Sequence, residues 1–136
     1  MGGDGIYSGE FIKLAGATAE GDLATSVGAP TDTLESAKDF IAAYEAAGFA
    51  EPYEAYGAYA FDAANAIIQA LKVSLASADS AEAARQATVD AMANVSFDGV
   101  TGAVAFDEFG DTTSRVLPVY GVKGGKWEAV TPPEFK

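Results

Sequence analysis

The segment Tyr56–Ser74 reads YGAYAFDAANAIIQALKVS and is apolar at almost every position around a helical wheel. A helix with this pattern is typically buried on more than one side. We therefore predict a helix from Tyr56 to Ser74 that has neighbouring structure on several of its faces. The rest of the chain is expected to supply those neighbours.

A short helix is predicted near the start of the chain. Ser8 stands where an N-cap belongs, and Gly16 stands where a helix ends. Between them, Phe11, Leu14 and Ala15 are expected to line the buried face.

Three further elements flank the apolar segment. Glu20–Ser26 is a candidate strand. Apolar residues at three- and four-residue steps predict a helix over Leu34–Ala47, and Gly48 ends it. Ser80 is the cap expected for another helix, which runs to about Ala93.

The last third of the chain changes to a strand pattern. Val104–Phe106, Val116–Val122 and Trp127–Val130 are rich in β-branched and aromatic residues. Asp107–Asp111 and Lys123–Lys126 are polar turn clusters between them. These segments predict a β-meander after the helices, which gives an α/β or α+β class.

Composition excludes several classes of function. The chain has 136 residues, of which 49% are hydrophobic. That length and composition suit one domain with a real core. The formal charge is −12 and the eight basic residues are scattered, so nucleic acid is not an expected partner. The chain has no cysteine and no histidine, which removes thiolate and imidazole chemistry. We expect neither a metal site nor a cofactor.

Three local patterns together resemble the type I periplasmic solute-binding proteins, in particular the receptors for branched-chain amino acids and amides. The first is Gly2–Ser8 with Ala15–Gly21, the second is Tyr56–Ala63, and the third is Phe97–Gly102 with Val104–Asp111. Each pattern is short. Their order and spacing over nearly the whole chain carry the resemblance, which covers the carboxy-terminal part of that architecture.

The resemblance implies two Rossmann-like lobes, with a ligand held in the cleft between them at the strand ends. By analogy, residues 1–26 belong to the second lobe, residues 27–115 to the first, and residues 116–136 cross back toward the second. We expect these segments to form one compact unit, and the amino-terminal lobe of the family to be absent. The abrupt opening at Met1 suggests truncation.

Asp4 falls where the resemblance implies an acidic residue that pairs with the α-ammonium group of the ligand. A buried zwitterion requires a carboxylate for its cation, and such a hydrogen bond contributes roughly 1.5 to 3 kcal/mol. The alternative is structural, because aspartate between glycines commonly forms a turn or caps a helix.

Two tyrosines complete the predicted ligand site. Tyr56 matches a family tyrosine near the hinge that borders the ligand side chain, and Phe61 matches an aromatic residue that follows it. An aromatic stripe at helical spacing also fits a core role. Tyr7 follows the turn of Asp4 and is expected to face the cleft.

The sequence gives little support for calcium binding, nucleotide binding or catalysis. Asp107–Asp111 lacks the alternating ligands of a calcium loop and is predicted to form a hairpin turn. The glycines of residues 2–5 do not have the spacing of a nucleotide-binding loop. No nucleophile stands beside a base, so we expect no enzyme.

The expected function is therefore capture of an aliphatic amino acid or amide for an ABC importer, through a permease that contacts the parent protein. The expected location is periplasmic or extracellular, with a membrane tether if the parent is Gram-positive. The alternative is an interaction or sensor fragment that assembles with another chain, because unpaired strand edges invite pairing or a homo-oligomer.

Overall fold

The computed structural model describes residues 1–130, and the chain divides into two compact units. Unit 1 comprises Met1–Pro30 together with the segment that starts at Arg115. Unit 2 is the continuous stretch Thr31–Ser114. The chain therefore leaves unit 1 once and returns to it once.

Unit 1 is built on a three-stranded antiparallel sheet. Its strands are β1 (Leu23–Thr25), β4 (Val119–Lys123) and β5 (Lys126–Ala129), and β4 lies between the other two. The β4–β5 hairpin turns at Gly124 and Gly125, whose φ angles are 57° and 75°. Positive φ at both positions suits a tight two-residue turn. The turn predicted at Lys123–Lys126 is confirmed.

The amino-terminal segment lies along the free edge of β1. Gly2 donates its N–H to the Leu23 carbonyl at 2.8 Å, and its carbonyl accepts a hydrogen bond from the Thr25 N–H at 3.2 Å. The short helix α1 (Gly9–Ala15) follows, and the Ser8 hydroxyl accepts a hydrogen bond from the Phe11 N–H as predicted.

The predicted burial of Leu14 on α1 is wrong, because this side chain is 80% exposed. Phe11 is the residue of α1 that meets the aromatic side chains of unit 1, and its ring stacks on that of Trp127 at 5.8 Å.

Unit 2 contains three helices and a hairpin. The helices are α2 (Lys38–Ala47), α3 (Gly57–Ser74) and α4 (Ala81–Met92), and the hairpin strands are β2 (Ser96–Gly99) and β3 (Gly102–Ala105). All three predicted helices are confirmed, although a 3₁₀ turn precedes α2. Each of these helices also ends within one residue of its predicted carboxy-terminal end.

The caps explain why these helix ends could be predicted. Gly48 closes α2 at a φ of 66°, in the left-handed conformation. Glycine adopts that conformation readily, which is why it commonly ends helices. The Ser80 hydroxyl accepts a hydrogen bond from the Ala83 N–H at the start of α4, as an N-cap serine does.

Only one face of α3 is buried, and its members recur every four residues: Ala58, Asp62, Ala66, Ala70 and Ser74. Ala66 and Ala70 pack with Val95 in a core that α4 and the hairpin complete. Ile67 and Ile68 are 49% and 48% exposed. The prediction that α3 is buried on several sides is therefore wrong for the described residues.

The predicted β-meander is confirmed for its last two strands, which form the β4–β5 hairpin, and is wrong for β3. Strand β3 pairs with β2 in unit 2, whereas β4 pairs with β1 and β5 in unit 1. Both edges of β4 are thus occupied, so it cannot accept β3 as a neighbour. Strand β2 was not predicted as a strand, because Ser96–Gly99 has a single large apolar residue.

Asp62 fastens α3 to the turn of the hairpin. Its carboxylate accepts hydrogen bonds from the Val100 N–H at 2.9 Å, and from the N–H and hydroxyl of Thr101 at 2.8 and 2.7 Å. Gly99 permits this approach, because a Cβ there would lie 2.6 Å from an Asp62 oxygen. A buried charge is thereby matched by three donors.

We expect Asp62→Ala to lower the free energy of unfolding of unit 2 by about 3 kcal/mol, since it leaves three partly buried donors without their partner. Chemical denaturation followed by far-ultraviolet circular dichroism measures this, because the three longest helices lie in unit 2. Fluorescence of the single tryptophan, Trp127, follows unit 1 in the same experiment.

The matched control is Asp98→Ala, which removes an exposed aspartate from β2. We expect it to change stability by no more than about 0.5 kcal/mol. Equal losses in the two variants would contradict the role given to Asp62.

Candidate functional site

Asp4 begins a 3₁₀ turn, Asp4–Ile6, at the edge of the unit 1 sheet. Its side chain is exposed, and its carbonyl accepts a hydrogen bond from the Tyr7 N–H at 2.9 Å. The structural alternative for Asp4, that it forms a turn, is thus confirmed. A turn residue with an exposed carboxylate can also meet a cation, so the two roles are compatible.

Gly2 fixes the position of this turn. A Cβ at residue 2 would lie 2.6 Å from Cδ1 of Ile6 and 2.9 Å from its Cγ1. The turn therefore folds back over a backbone that carries no side chain. Together with the hydrogen bonds of Gly2 to β1, this close approach holds Asp4 at the sheet edge.

Tyr7 packs into an aromatic group of unit 1 formed by Tyr7, Phe11, Tyr120 and Trp127. The centroid of its ring lies 4.2 Å from that of Tyr120 and 5.5 Å from that of Trp127. The Trp127 indole N–H donates to the Ser8 carbonyl at 2.9 Å. These contacts bind the segment after Asp4 to β4 and β5.

Sequence reasoning did not assign Tyr120 and Trp127 to this region. The available signal was weak, since a lone tryptophan beside a Gly-Gly turn carries no information about its partners. Antiparallel pairing of β4 with β1 and β5 brings them beside the amino terminus.

Tyr56 lies in unit 2, immediately before α3, and is 46% exposed. Its carbonyl accepts a hydrogen bond from the Ala60 N–H at 2.8 Å, in the first turn of the helix. The structure thus brings Asp4 and Tyr7 together in unit 1 and puts Tyr56 in the other unit. The ligand-binding roles of all three residues stay predictions.

Aromatic rings crowd the region between α2 and α3. The ring of Phe40 lies 5.4 Å from that of Phe61 and 5.8 Å from that of Tyr53, and the ring of Tyr44 lies 4.8 Å from that of Phe49. A cleft of about 400 Å³ opens beside these rings. Such a lining favours apolar groups.

Two tyrosines of unit 2 have perturbed acidity. Burial raises the pKa of Tyr59, and the negative charge of Asp62 raises it further. Burial also raises the pKa of Tyr53, with smaller contributions from Asp32 and Glu45. Both phenols therefore stay neutral to a higher pH than an unperturbed tyrosine.

The loop Asp107–Asp111 forms a turn, as predicted. The Asp107 carboxylate accepts hydrogen bonds from the N–H groups of Phe109 and Asp111, each at 2.9 Å. Within residues 1–130, acidic side chains do not converge in a group of three that could hold a metal ion. Over the same range, no helix has the length and apolar character needed to cross a membrane.

Comparison with known proteins gives a consistent set of relatives. Residues 29–125 match the profile of the family described as the receptor family ligand binding region. The chain is 36% identical over 128 residues to the Leu/Ile/Val-binding protein homolog 1 of Brucella suis biovar 1. That match covers 94% of this chain and 31% of the relative.

Two solved structures share the fold. A leucine-binding protein of Thermotoga maritima matches with a TM-score of 0.74 and 26% identity, over 95% of this chain and 35% of that protein. An ABC transporter substrate-binding protein of Desulfitobacterium hafniense matches with a TM-score of 0.62 and 27% identity, over 85% of this chain and 33% of that protein. The chain thus spans about a third of the length of these relatives.

We expect the phenol of Tyr59 to ionise with a pKa above its ordinary value of 10.0. Because the folded pKa exceeds the unfolded one, the stability that this group contributes is complete below about pH 10 and is lost as pH rises through the folded pKa. The difference in tyrosinate absorbance between the wild type and Tyr59→Phe isolates this titration. A midpoint at or below 10.0 would show that the phenol is not shielded.

Proposed function

We propose that this chain contributes to a protein that captures an aliphatic amino acid or amide without altering it. The chain belongs to the family described as the receptor family ligand binding region. It has the type I periplasmic binding protein fold. The observation that carries the proposal is the match to a Leu/Ile/Val-binding protein homologue along 94% of the chain. The family match over residues 29–125 supports the same class of function.

In this proposal, the Asp4 carboxylate receives the ammonium group of the ligand. Its exposed turn at the sheet edge supports this role, because an incoming cation can reach it without a rearrangement of the core. Tyr7 faces the ligand cleft from beside the same turn, and Tyr56 borders the side chain of the ligand. Charge-assisted hydrogen bonds of this kind orient a ligand as well as binding it.

We propose that the lobes follow the boundaries expected from the sequence. Residues 1–26 and 116–136 would belong to the second lobe, and residues 27–115 to the first. The compact units support this assignment, since their boundaries at Pro30 and Arg115 fall within a few residues of it. That the segments behave as one compact body also stays a prediction.

The larger protein would deliver its ligand to the permease of an ABC importer, from the periplasm or from the outer face of the cell. The named function of the Desulfitobacterium hafniense relative supports this partner. A membrane tether belongs to the proposal if the parent is Gram-positive. The chain would act as one part of the binding protein, with the rest of both lobes supplied by sequence that the relatives have and this chain does not span.

The test replaces the matched region of the Brucella suis relative with this chain and measures leucine binding by calorimetry. We expect Asp4→Asn to weaken binding by about tenfold to a hundredfold, because it removes the charge that faces the ammonium group. We expect the isolated chain to bind leucine far more weakly than the chimera, since the isolated chain offers only part of the pocket.

Glu10→Gln is the matched control in the chimera. It removes one carboxylate from unit 1 at an exposed pair with Lys13, and such surface pairs contribute little. If Asp4→Asn and Glu10→Gln bound leucine equally well, the assignment of Asp4 would be wrong. If the unsubstituted chimera folded and bound no aliphatic amino acid or amide, the proposed function itself would fail.

A second candidate function is that of an interaction or sensor fragment that assembles with another chain. The apolar side of α3 that unit 2 leaves exposed favours it. Phe61, Ile68 and Leu75 are all about half exposed or more. They lie seven residues apart, which is nearly two helical turns. An apolar stripe of this length is usually covered by other protein.

We expect the isolated chain to self-associate through this stripe, in a manner that depends on concentration. Ile68→Asp should raise the monomer fraction, because it puts a charge in the contact. Light scattering coupled to size-exclusion chromatography measures the change. Leu14→Asp, at an exposed leucine of unit 1, is the control and should leave association unchanged; a monomeric wild type would count against the stripe as a contact surface.

A further inference from the structure

A second apolar surface of unit 2 lies between the end of α4 and the loop Asp107–Asp111. We call it the Phe109 groove, and it has a volume of about 390 Å³. Val89 and Met92 line it from α4, and Phe106 and Phe109 line it from the loop side. Phe109 is 82% exposed and Val89 is 67% exposed.

The loop holds Phe109 in this exposed position. The Asp107 carboxylate accepts hydrogen bonds from the N–H groups of Phe109 and Asp111. The Asp107 N–H in turn donates a hydrogen bond to the Asp111 carbonyl at 2.9 Å. Gly110 has a φ of 86°, a conformation that glycine adopts without strain. The backbone around Phe109 is therefore fixed, and its ring is presented at the surface with little backbone ordering cost on binding.

The core fixes the floor of the groove. Met92 and Phe106 pack against the buried cluster that contains Ala66, Ala70 and Val95. A single exposed apolar residue is ordinary on a protein surface, whereas a contiguous groove with a preformed floor is typical of a contact site.

Acidic side chains rim the groove. Asp107 and Glu108 belong to its lining, and the exposed Asp111 follows in the same loop. Among the described residues that line the groove there is neither lysine nor arginine, and Arg85 lies one turn earlier on α4, outside the lining. The whole chain has a net charge of −12, so the rim attracts cations.

We propose that the Phe109 groove docks a segment of another protein that presents an apolar side chain flanked by lysine or arginine. The apolar floor receives the side chain, and Glu108 and Asp111 face the basic residues. A second copy of this chain fits poorly, because a two-fold contact would bring the two acidic rims together. The inference rests on the groove alone and is independent of the proposed ligand.

The test measures binding of an amphipathic helical peptide of leucine and lysine to the purified chain by fluorescence anisotropy. We expect Phe109→Ser to weaken binding about tenfold, as loss of a central aromatic contact does, and Glu108→Lys to weaken it as well. Added salt should reduce the affinity. Circular dichroism should show that Phe109→Ser is folded, since its side chain is solvent-exposed.

Two controls make the outcome decisive. One is a peptide of the same composition with its leucines dispersed around the helix, which should bind much more weakly. The other is Ile68→Ser, which alters the apolar side of α3 and should leave binding unchanged. Equal binding of the two peptides, a loss with Ile68→Ser but not with Phe109→Ser, or no binding at all would overturn the proposal. So would dimerisation of the chain through Phe109, which would make a second copy the occupant.

Discussion

Unit 2 is organised around the buried carboxylate of Asp62. Asp62 is the only charged residue among residues 1–130 that is buried, and its three donors come from the turn that joins β2 to β3. A buried charge is costly unless it is matched, so the turn and α3 constrain each other. Because Gly99 lets that turn approach α3 so closely, the position of the hairpin follows from one acidic side chain and one glycine.

This constraint determines which surfaces of unit 2 are left to meet other molecules. The hairpin and α4 cover the small-residue face of α3, where Ala66 and Ala70 allow close packing. The larger side chains of α3, Phe61 and Ile68 among them, are left on the uncovered side. In the longer relatives, about two thirds of the protein lies outside the matched region.

The sequence predicted the family, the α/β class and the helices, and these predictions are confirmed. Helix ends were predictable because capping is local: Ser8 and Ser80 each accept a hydrogen bond from an N–H three residues later. Strand partners were not predictable in the same way. The β-meander holds for β4 and β5 and fails for β3, because strand pairing also depends on residues far apart in the chain, such as Leu23 and Gly121.

The candidate site shows the same division between local and distant information. That Asp4 forms a turn could be predicted from its neighbouring glycines, and the turn is present. The attachment of this segment to Trp127 could not, since 119 positions separate Trp127 from Ser8 in the sequence. An exposed carboxylate is a useful ligand group only if its backbone is held in place. The bond of the Trp127 indole to Ser8 and the pairing of Gly2 with β1 supply that restraint from both sides of Asp4. The aromatic side chains of unit 1 are therefore part of the candidate site even where they do not contact a ligand.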